Sequence, residues 1–577
     1  MNITPDGVSQ SCRVRTAIVC LGFLVGFTII FSRLFFLQVV QSNKGALQAQ
    51  GQHFESIEVK GNRGLIVDRH GSTYAINVDA PSVYARKKDI QQQAHVLRKL
   101  STLIDVPVSS LRKKMKGKGS SIQLKRKLTS KEVEAIQASN LPGITVKMES
   151  QRFYPKGTSL AHLLGFAGRD SQGLEGLEWH FDSYLQGKKQ TVQFQRDASR
   201  GRIALVSDHG LRPYQGFRIT LTIDEVIQFI AEQELDDAMR RTKAKRGTVL
   251  IMDPNTGAIL AWALRPVFDP NHYQDWPREL YVNRAVTDPY EPGSTLKVLL
   301  AAAALNEGKK TPDELIYCGD GEMSIAGTKM HDLKQHGWMT LKEAVTHSSN
   351  ICMVKVALSL GAEKVYDYLR AFGFGQKTEI DLPGESAGLL KAIDDWDGLT
   401  LSSLAIGQGI SVTPIQLLTA ISAVANGGSL YRPFVVSRVE DPRGNLVMEQ
   451  NVQMRREPIT YETSEMLKEM LANVVSQGTG KQAALMDYEV GGKTGTAQKA
   501  KKGARGYSST KFIGSFVGFV PVDQPQLAIL VVIDEPEGKG YGGEVAAPVF
   551  RKVAEKSLQH LMIAPKHGGF VRVAGLF

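Results

Sequence analysis

The chain has 577 residues, 42% of them apolar and 22% charged, which suits sizeable folded cores and rules out a disordered composition. The formal charge of +12 comes from Lys and Arg spread along the chain with no RNA- or DNA-binding motif beside them, which argues against nucleic acid as a partner. The densest basic stretch, Arg112 to Lys127, reads as a solvated surface.

The first element is an anchor. Thr16 to Ser32 carries no charge, and after Arg33 the apolar character resumes through Val40. At ~1.5 Å per residue, about 20 such residues cross a hydrocarbon core of ~30 Å. Arg33 can snorkel toward headgroups. Arg13 and Arg15 precede the segment, so residues 1–15 are expected to stay in the cytoplasm, with the chain after Val40 on the far side. A cleaved signal peptide fits less well. The apolar core is too long, and bulky Leu34, Phe35 and Phe36 stand where small residues would flank a cleavage site.

Residues 41–217 alternate short strands (Ser56 to Val59, Leu65 to Val67, Thr145 to Met148) with helices (Lys131 to Ser139, Leu174 to Leu185) and carry no catalytic pattern. They are predicted to form an irregular α+β region. From 218 to 577 a second domain is expected. It opens with a strand, Arg218 to Ile223, and an amphipathic helix, Glu225 to Arg241. A hairpin, Gly247 to Met252 and Ala258 to Leu264, follows around Pro254-Asn255-Thr256-Gly257. A strand pair, Phe512 to Val520 and Gln526 to Asp534, and a helix, Pro548 to Leu561, end it. Strands at both ends and helices between them predict an α+β domain whose sheet joins distant parts of the chain. Of the four cysteines, Cys12 and Cys20 fall in or beside the anchor, and Cys318 and Cys352 form no Cys-x-x-Cys pair. The spacing predicts neither a disulfide framework nor a zinc site.

Three short motifs carry the chemistry. Ser294-Thr295-Leu296-Lys297 follows Pro292-Gly293 and opens an apolar helical run. Residues three apart share a helix face, so Lys297 can act as base for the Ser294 hydroxyl if burial or another cation lowers its pKa. The same spacing at Ser110/Lys113 and Ser508/Lys511 lacks the apolar helix. Ser348-Ser349-Asn350 offers a proton relay in Ser348 and an amide-binding group in Asn350, though taken alone it reads more readily as a turn or helix cap. Lys493-Thr494-Gly495-Thr496 follows Gly491-Gly492. On a strand edge its Lys and Thr can hold a carboxylate, and its glycines admit a ligand backbone. It is not a phosphate loop, because Asp487 stands where that pattern needs Gly. Gly538-x-Gly540-x-x-Gly543 lacks a βαβ context and reads as a flexible loop.

The ordered set Ser-x-x-Lys, Ser-x-Asn, Lys-Thr-Gly is the combination found in serine β-lactamases and penicillin-binding proteins. The chain resembles the class B penicillin-binding proteins from the anchor onward. Supporting segments are Asn62-Arg63-Gly64-Leu65-Ile66-Val67-Asp68-Arg69, Arg152-x-Tyr154-Pro155 with His162 and Gly165, and Gly173-Leu174-Glu175-Gly176-Leu177-Glu178. In the second domain Gly407-Gln408-Gly409-Ile410, Thr413-Pro414 and Gln416 match too. Asn350, with Leu382-Pro383-Gly384-Glu385, resembles the septal type; the elongation type usually has Asp at that position.

The resemblance implies a pedestal domain over 41–217 and a β-lactamase-like transpeptidase domain over 218–577. It implies that Ser294 is the nucleophile and Lys297 its base, that Ser348 and Asn350 handle proton relay and substrate amide, and that Lys493, Thr494, Gly495 and Thr496 bind substrate. The backbone N–H groups of Ser294 and Thr496 would form the oxyanion hole. It further implies peptidoglycan stem peptides ending in D-alanyl-D-alanine as substrate, β-lactams as inhibitors, and no cofactor or metal. A polytopic glycosyltransferase and other division proteins are the implied partners, at the inner membrane with the catalytic domain periplasmic. The alternatives are an elongation-type transpeptidase, a β-lactamase or sensor relative, and a non-catalytic division scaffold. The acceptor amine, diaminopimelate or lysine, is not written in the sequence.

Overall fold

A computed structural model describes residues 6–40, 54–59, 61–117, 119–187, 190–196, 202–204, 215–325, 327–501, 506–538 and 540–565. The chain divides into two compact units, residues 1–61 with 188–214, and residues 62–187 with 215–577.

In the first unit a helix runs Asp6–Phe35 and continues as a wider turn over Phe36–Val40. Its stretch Cys12–Val40 is long and apolar enough to cross a membrane, and none of it is buried against protein. A helix that is apolar all round, with no core to enter, finds its apolar surroundings in lipid. The unit also holds an antiparallel sheet of Phe54–Val59, Gln190–Arg196 and Arg202–Ala204.

In the second unit, Thr73–Arg86 pairs with Ile144–Phe153 over ten positions. The short strand Ile66–Val67 pairs on one side with this long strand and on the other, in parallel, with Arg218–Leu221. The segment expected as one helix over Leu174 to Leu185 is instead two short ones, Gly176–His180 and Asp182–Leu185, broken at Phe181. The cause is Arg63. Its Nη2 donates to the carbonyl of Glu178, occupying an acceptor that a continuous helix would offer to its own next turn.

A five-stranded antiparallel sheet comprises β1 (Arg246–Met252), β2 (Ile259–Arg265), β3 (Gly491–Ala500), β4 (Tyr507–Val520) and β5 (Leu527–Asp534), in the spatial order β2-β1-β5-β4-β3. The expected hairpin is β1–β2, and β5, far downstream, pairs with β1 in the register Ala528↔Met252 to Asp534↔Arg246. Alternate residues of β1 face opposite ways, as the pleat requires. Val249 and Ile251 pack with helix α1 (Glu225–Thr242) and helix Ala547–His560, while Leu250 joins the larger core beneath helix α2 (Lys297–Asn306) and helix Pro414–Ala425. The sheet is therefore covered on both faces, and β3, at its edge, is left with a free side.

The cysteines correct the sequence expectation. Cys318 and Cys352, both buried, form a disulfide with Cα atoms 4.9 Å apart. Cysteine spacing carries no signal here because a strand, Leu315–Tyr317, meets a helix 34 residues later. Closing a loop of that length contributes roughly 3–4 kcal/mol. Reduction, or the double substitution Cys318→Ala/Cys352→Ala, is therefore expected to lower the thermal midpoint by several degrees in calorimetry. An unchanged melt under reductant would show that the bond contributes nothing.

Candidate active site

Ser294 lies in a tight 3₁₀ turn, Gly293–Leu296, that runs directly into α2. Gly293 has φ +56°, and a Cβ there would come within 2.9 Å of the Thr496 carbonyl oxygen. Only glycine lets this turn lie so close to β3. The Gly293 amide donates to the Gly407 carbonyl at 3.1 Å, and a Cβ on Gly407 would strike Gly293 oxygen at 1.9 Å. The Gly407-Gln408-Gly409 segment thus packs against the turn that carries Ser294.

Lys297, one turn on from Ser294, is fully buried. Its Nζ donates to the Ser348 carbonyl at 2.6 Å, to Asn350 Oδ1 at 2.6 Å and to Ser348 Oγ at 3.3 Å. Burial lowers its pKa to about 7, against a smaller opposing pull from Asp332. An amine tuned to this value is half neutral near pH 7 and able to take a proton.

The second motif joins helix α3 (Leu341–His347) to helix α4 (Asn350–Leu360). Ser348 takes the left-handed conformation that ends α3, with φ +63°. Ser349 caps α4, accepting from the Cys352 amide at 3.1 Å. The capping reading of Ser-Ser-Asn therefore holds, and the same left-handed turn brings Ser348 and Asn350 to Lys297. Asp332, unnoticed in the sequence, fixes this turn. It accepts from Ser349 Oγ at 2.6 Å and from the amides of Asn350 and Ile351. Asn350 Nδ2 donates to the His331 carbonyl at 2.8 Å. The disulfided Cys352 stands two residues past Asn350.

The third motif occupies the edge strand β3. Lys493 is buried, and its pKa is pushed well down by burial and by the Lys297 cation. The lowering of Lys297 itself comes from burial, and its amine lies near enough to Lys493 to depress that lysine in turn. Thr494 Oγ1 is 2.8 Å from Thr479 Oγ1, and Thr496 Oγ1 accepts from the Gly542 amide at 3.2 Å. Gly495 is tightly packed by the chain itself. A Cβ there would meet Ser515 Oγ at 2.3 Å, Thr295 Cγ2 at 2.9 Å and the Pro292 oxygen at 3.0 Å, so this glycine seats the strand on the turn that carries Ser294.

The expected loop around Gly538 to Gly543 is corrected in part. Gly542 begins a short helix, Gly542–Val545, and a Cβ on it would lie 2.3 Å from the Gly495 oxygen. It is packing material for the site. Thr479 and Gly542 had no sequence signal, because only the folded sheet brings them to β3. All eight residues singled out in the sequence lie on these three converging segments. Among the described residues no cluster of His, Cys, Asp and Glu suited to a metal ion occurs.

Comparison with known proteins agrees. The penicillin-binding protein transpeptidase domain family matches residues 247–555, and the penicillin-binding protein dimerisation domain family matches residues 58–221. Stage V sporulation protein D of Bacillus subtilis is 36% identical, over 96% of this chain and 87% of its own length. Peptidoglycan D,D-transpeptidase FtsI of Escherichia coli is 31% identical, over 96% and 92%. A solved structure of penicillin-binding protein 3 from Mycobacterium tuberculosis, complexed with aztreonam, superposes with a TM-score of 0.70 at 28% identity, covering 88% of this chain and 98% of that one. With both family patterns in their places and relatives aligned over nearly its whole length, the chain belongs to the penicillin-binding protein transpeptidases that carry a dimerisation domain ahead of the catalytic one.

Proposed function

We propose that the chain is a membrane-anchored peptidoglycan D,D-transpeptidase that cross-links stem peptides through an acyl-enzyme on Ser294. The observation that carries this is the buried Lys297 amine, with a pKa near 7, bonded to Ser348 and Asn350 one helical turn from Ser294. In this reading Lys297 takes the Ser294 proton as Oγ attacks the carbonyl between the two D-alanines. Backbone N–H groups of Ser294 and Thr496 hold the oxyanion, and Ser348 passes the proton to the departing D-alanine. Lys493 and Thr494 hold the terminal carboxylate, while Asn350 and the β3 backbone, with Gly495, align the peptide. An amine of a second stem then takes the acyl group, and its proton returns to Ser294 through the same relay. β-Lactams acylate the same oxygen.

The septal role is favoured by Asn350 and by the similarity to FtsI. It places the catalytic domain, residues 218–577, and the pedestal, 41–217, on the periplasmic side of the inner membrane, with a polytopic glycosyltransferase and other division proteins as partners. Peptide mass spectrometry after benzylpenicillin treatment tests the chemistry. The adduct is expected on the peptide holding Ser294, and an adduct on any other residue refutes the assignment. Depletion in cells distinguishes the roles, with filaments expected for a septal enzyme and round cells refuting that role.

A further inference from the structure

Three residues before the nucleophile stands a carboxylate that none of these steps uses. Glu291 is half-buried. Its Oε1 accepts from the Gly409 amide at 3.0 Å and from the Tyr507 hydroxyl at 3.0 Å. Its Oε2 is enclosed and has no partner among the described residues. Burial pushes the Glu291 carboxyl up, and burial beside that carboxylate pushes Tyr507 up to about 12. Two neutral donors thus hold a carboxylate that has no cation. A shielded charge left so costs free energy, which an arriving cation recovers. The two oxygens of a carboxylate are equivalent, so a flip leaves the same arrangement, and the oxygen an ammonium can approach is Oε1, on the exposed side beside Gly409.

Its position says which cation. Along the free edge of β3 the order is Lys493 and Thr494, then Thr496 against Gly293, then Ala500, which pairs with Tyr507. Glu291 and Tyr507 therefore lie beyond Ser294 on the side away from the carboxylate-binding end. A donor peptide laid along this edge as an added strand puts its terminal carboxylate at Lys493 and Thr494 and its scissile carbonyl at Ser294. At ~3.3 Å per residue, the amino acid before the D-alanine pair then falls within about 7 Å beyond Ser294. In stem peptides that residue is a diamino acid: a lysine side chain ends in an ammonium group, and a diaminopimelate side chain ends in an ammonium with a carboxylate on the same carbon.

We propose that Glu291, held by Tyr507 and the Gly409 amide, binds the side-chain ammonium of the donor residue that directly precedes the D-alanine pair, and so selects donors with that amine free. The proposal rests on the transpeptidase reading and adds to it a residue that senses the donor.

The test is single-turnover acylation of the full chain in detergent, without acceptor, by thioester analogues of the donor peptide. Their lysine or diaminopimelate amine is either free or acetylated, and each rate is referred to that of benzylpenicillin on the same protein. The wild type should favour the free amine by about 10-fold or more, for lysine, diaminopimelate or both. Glu291→Gln should bring the ratio near one. Glu291→Asp, which keeps the charge but withdraws it by one methylene, should retain part of it. A wild-type ratio near one, an undiminished ratio in Glu291→Gln, or full retention in Glu291→Asp overturns the proposal. So does a preference that appears only when acceptor is added, since the cation sensed is then the acceptor's. If benzylpenicillin itself does not acylate Ser294, the transpeptidase reading fails instead.

Discussion

Replacing Lys297 with methionine should slow acylation of Ser294 by penicillin by about 10²–10⁴-fold, the usual worth of a positioned general base, with Ser294→Ala setting the zero. Methionine matches the buried lysine stem in length and leaves the volume filled. It strips the amine from the Ser348 carbonyl and Asn350 Oδ1, at about 1–3 kcal/mol for each acceptor left unpaired. A lowered melt is therefore expected alongside slow acylation, and a folded variant separates the two. Lys297→Arg is the sharper control. Its guanidinium keeps the charge and cannot give up a proton near neutrality, so it should be about as slow as methionine. The wild-type rate has a definite pH sign. The active form is the neutral amine, so with a folded pKa of about 7 acylation should rise through pH 7 and level above it. The same depression means that between about 7 and the unfolded value of 10.5 the unfolded chain binds more protons, and this group favours the folded state increasingly as pH rises across that window. A flat profile from pH 5.5 to 8.5, or a Lys297→Arg enzyme at wild-type rate, would remove Lys297 from the role of base.

The placing of Ser294 and Lys297 one helical turn apart was legible in the sequence because it depends on local spacing, which a string of letters displays. The same holds for the β1–β2 hairpin, whose turn residues are contiguous. What fixes the site was not legible. Asp332 holds Ser349 and Asn350 from a hairpin whose sequence gives no hint of where it folds, and Cys318 finds Cys352 only through the packing of a strand on α4. Gly495 reads as room for ligand, and only the structure shows that its missing Cβ also makes room for Pro292 and Thr295 of the chain itself. The broken helix at Phe181 has the same origin, since helical pattern lost to a side chain, Arg63, that lies 115 residues from Glu178. Local rules gave the reactive groups, and tertiary contacts decided how they are held.

The Glu178 carboxylate, deep in the pedestal, should be the costliest side chain outside the active site to remove. It is fully buried and accepts from Arg63 Nε, from Arg152 Nε at 2.6 Å and from the Tyr154 hydroxyl at 3.2 Å, while Arg63 also reaches Asp182. Burial alone would raise its carboxyl, but Arg152 and Arg63 outweigh that and hold it below the usual range. Glu178→Ala leaves two guanidinium groups enclosed with one negative partner, Asp182, between them. Breaking such a network from one side costs about 3–5 kcal/mol, or roughly 3–5 °C in thermal midpoint for a unit of this size. Glu178→Gln, which keeps an acceptor but not the charge, should fall between. Because the folded pKa is depressed, this contribution is complete above the unfolded carboxylate range and is lost as pH falls through the folded value, so the variant's deficit should shrink in acid. The network also bears on catalysis at a distance. Arg152 binds the Gly64 carbonyl, and Gly64 fits so closely that a Cβ would lie 1.8 Å from the Phe217 oxygen, next to the paired strands Ile66–Val67 and Arg218–Leu221 that lead into α1. Loosening it should therefore lower the temperature at which penicillin acylation fails while leaving the rate at low temperature close to normal. A melt within about 1 °C of wild type would mean that water or neighbouring carbonyls replace Glu178, and that the pedestal is held to the catalytic sheet by apolar packing alone.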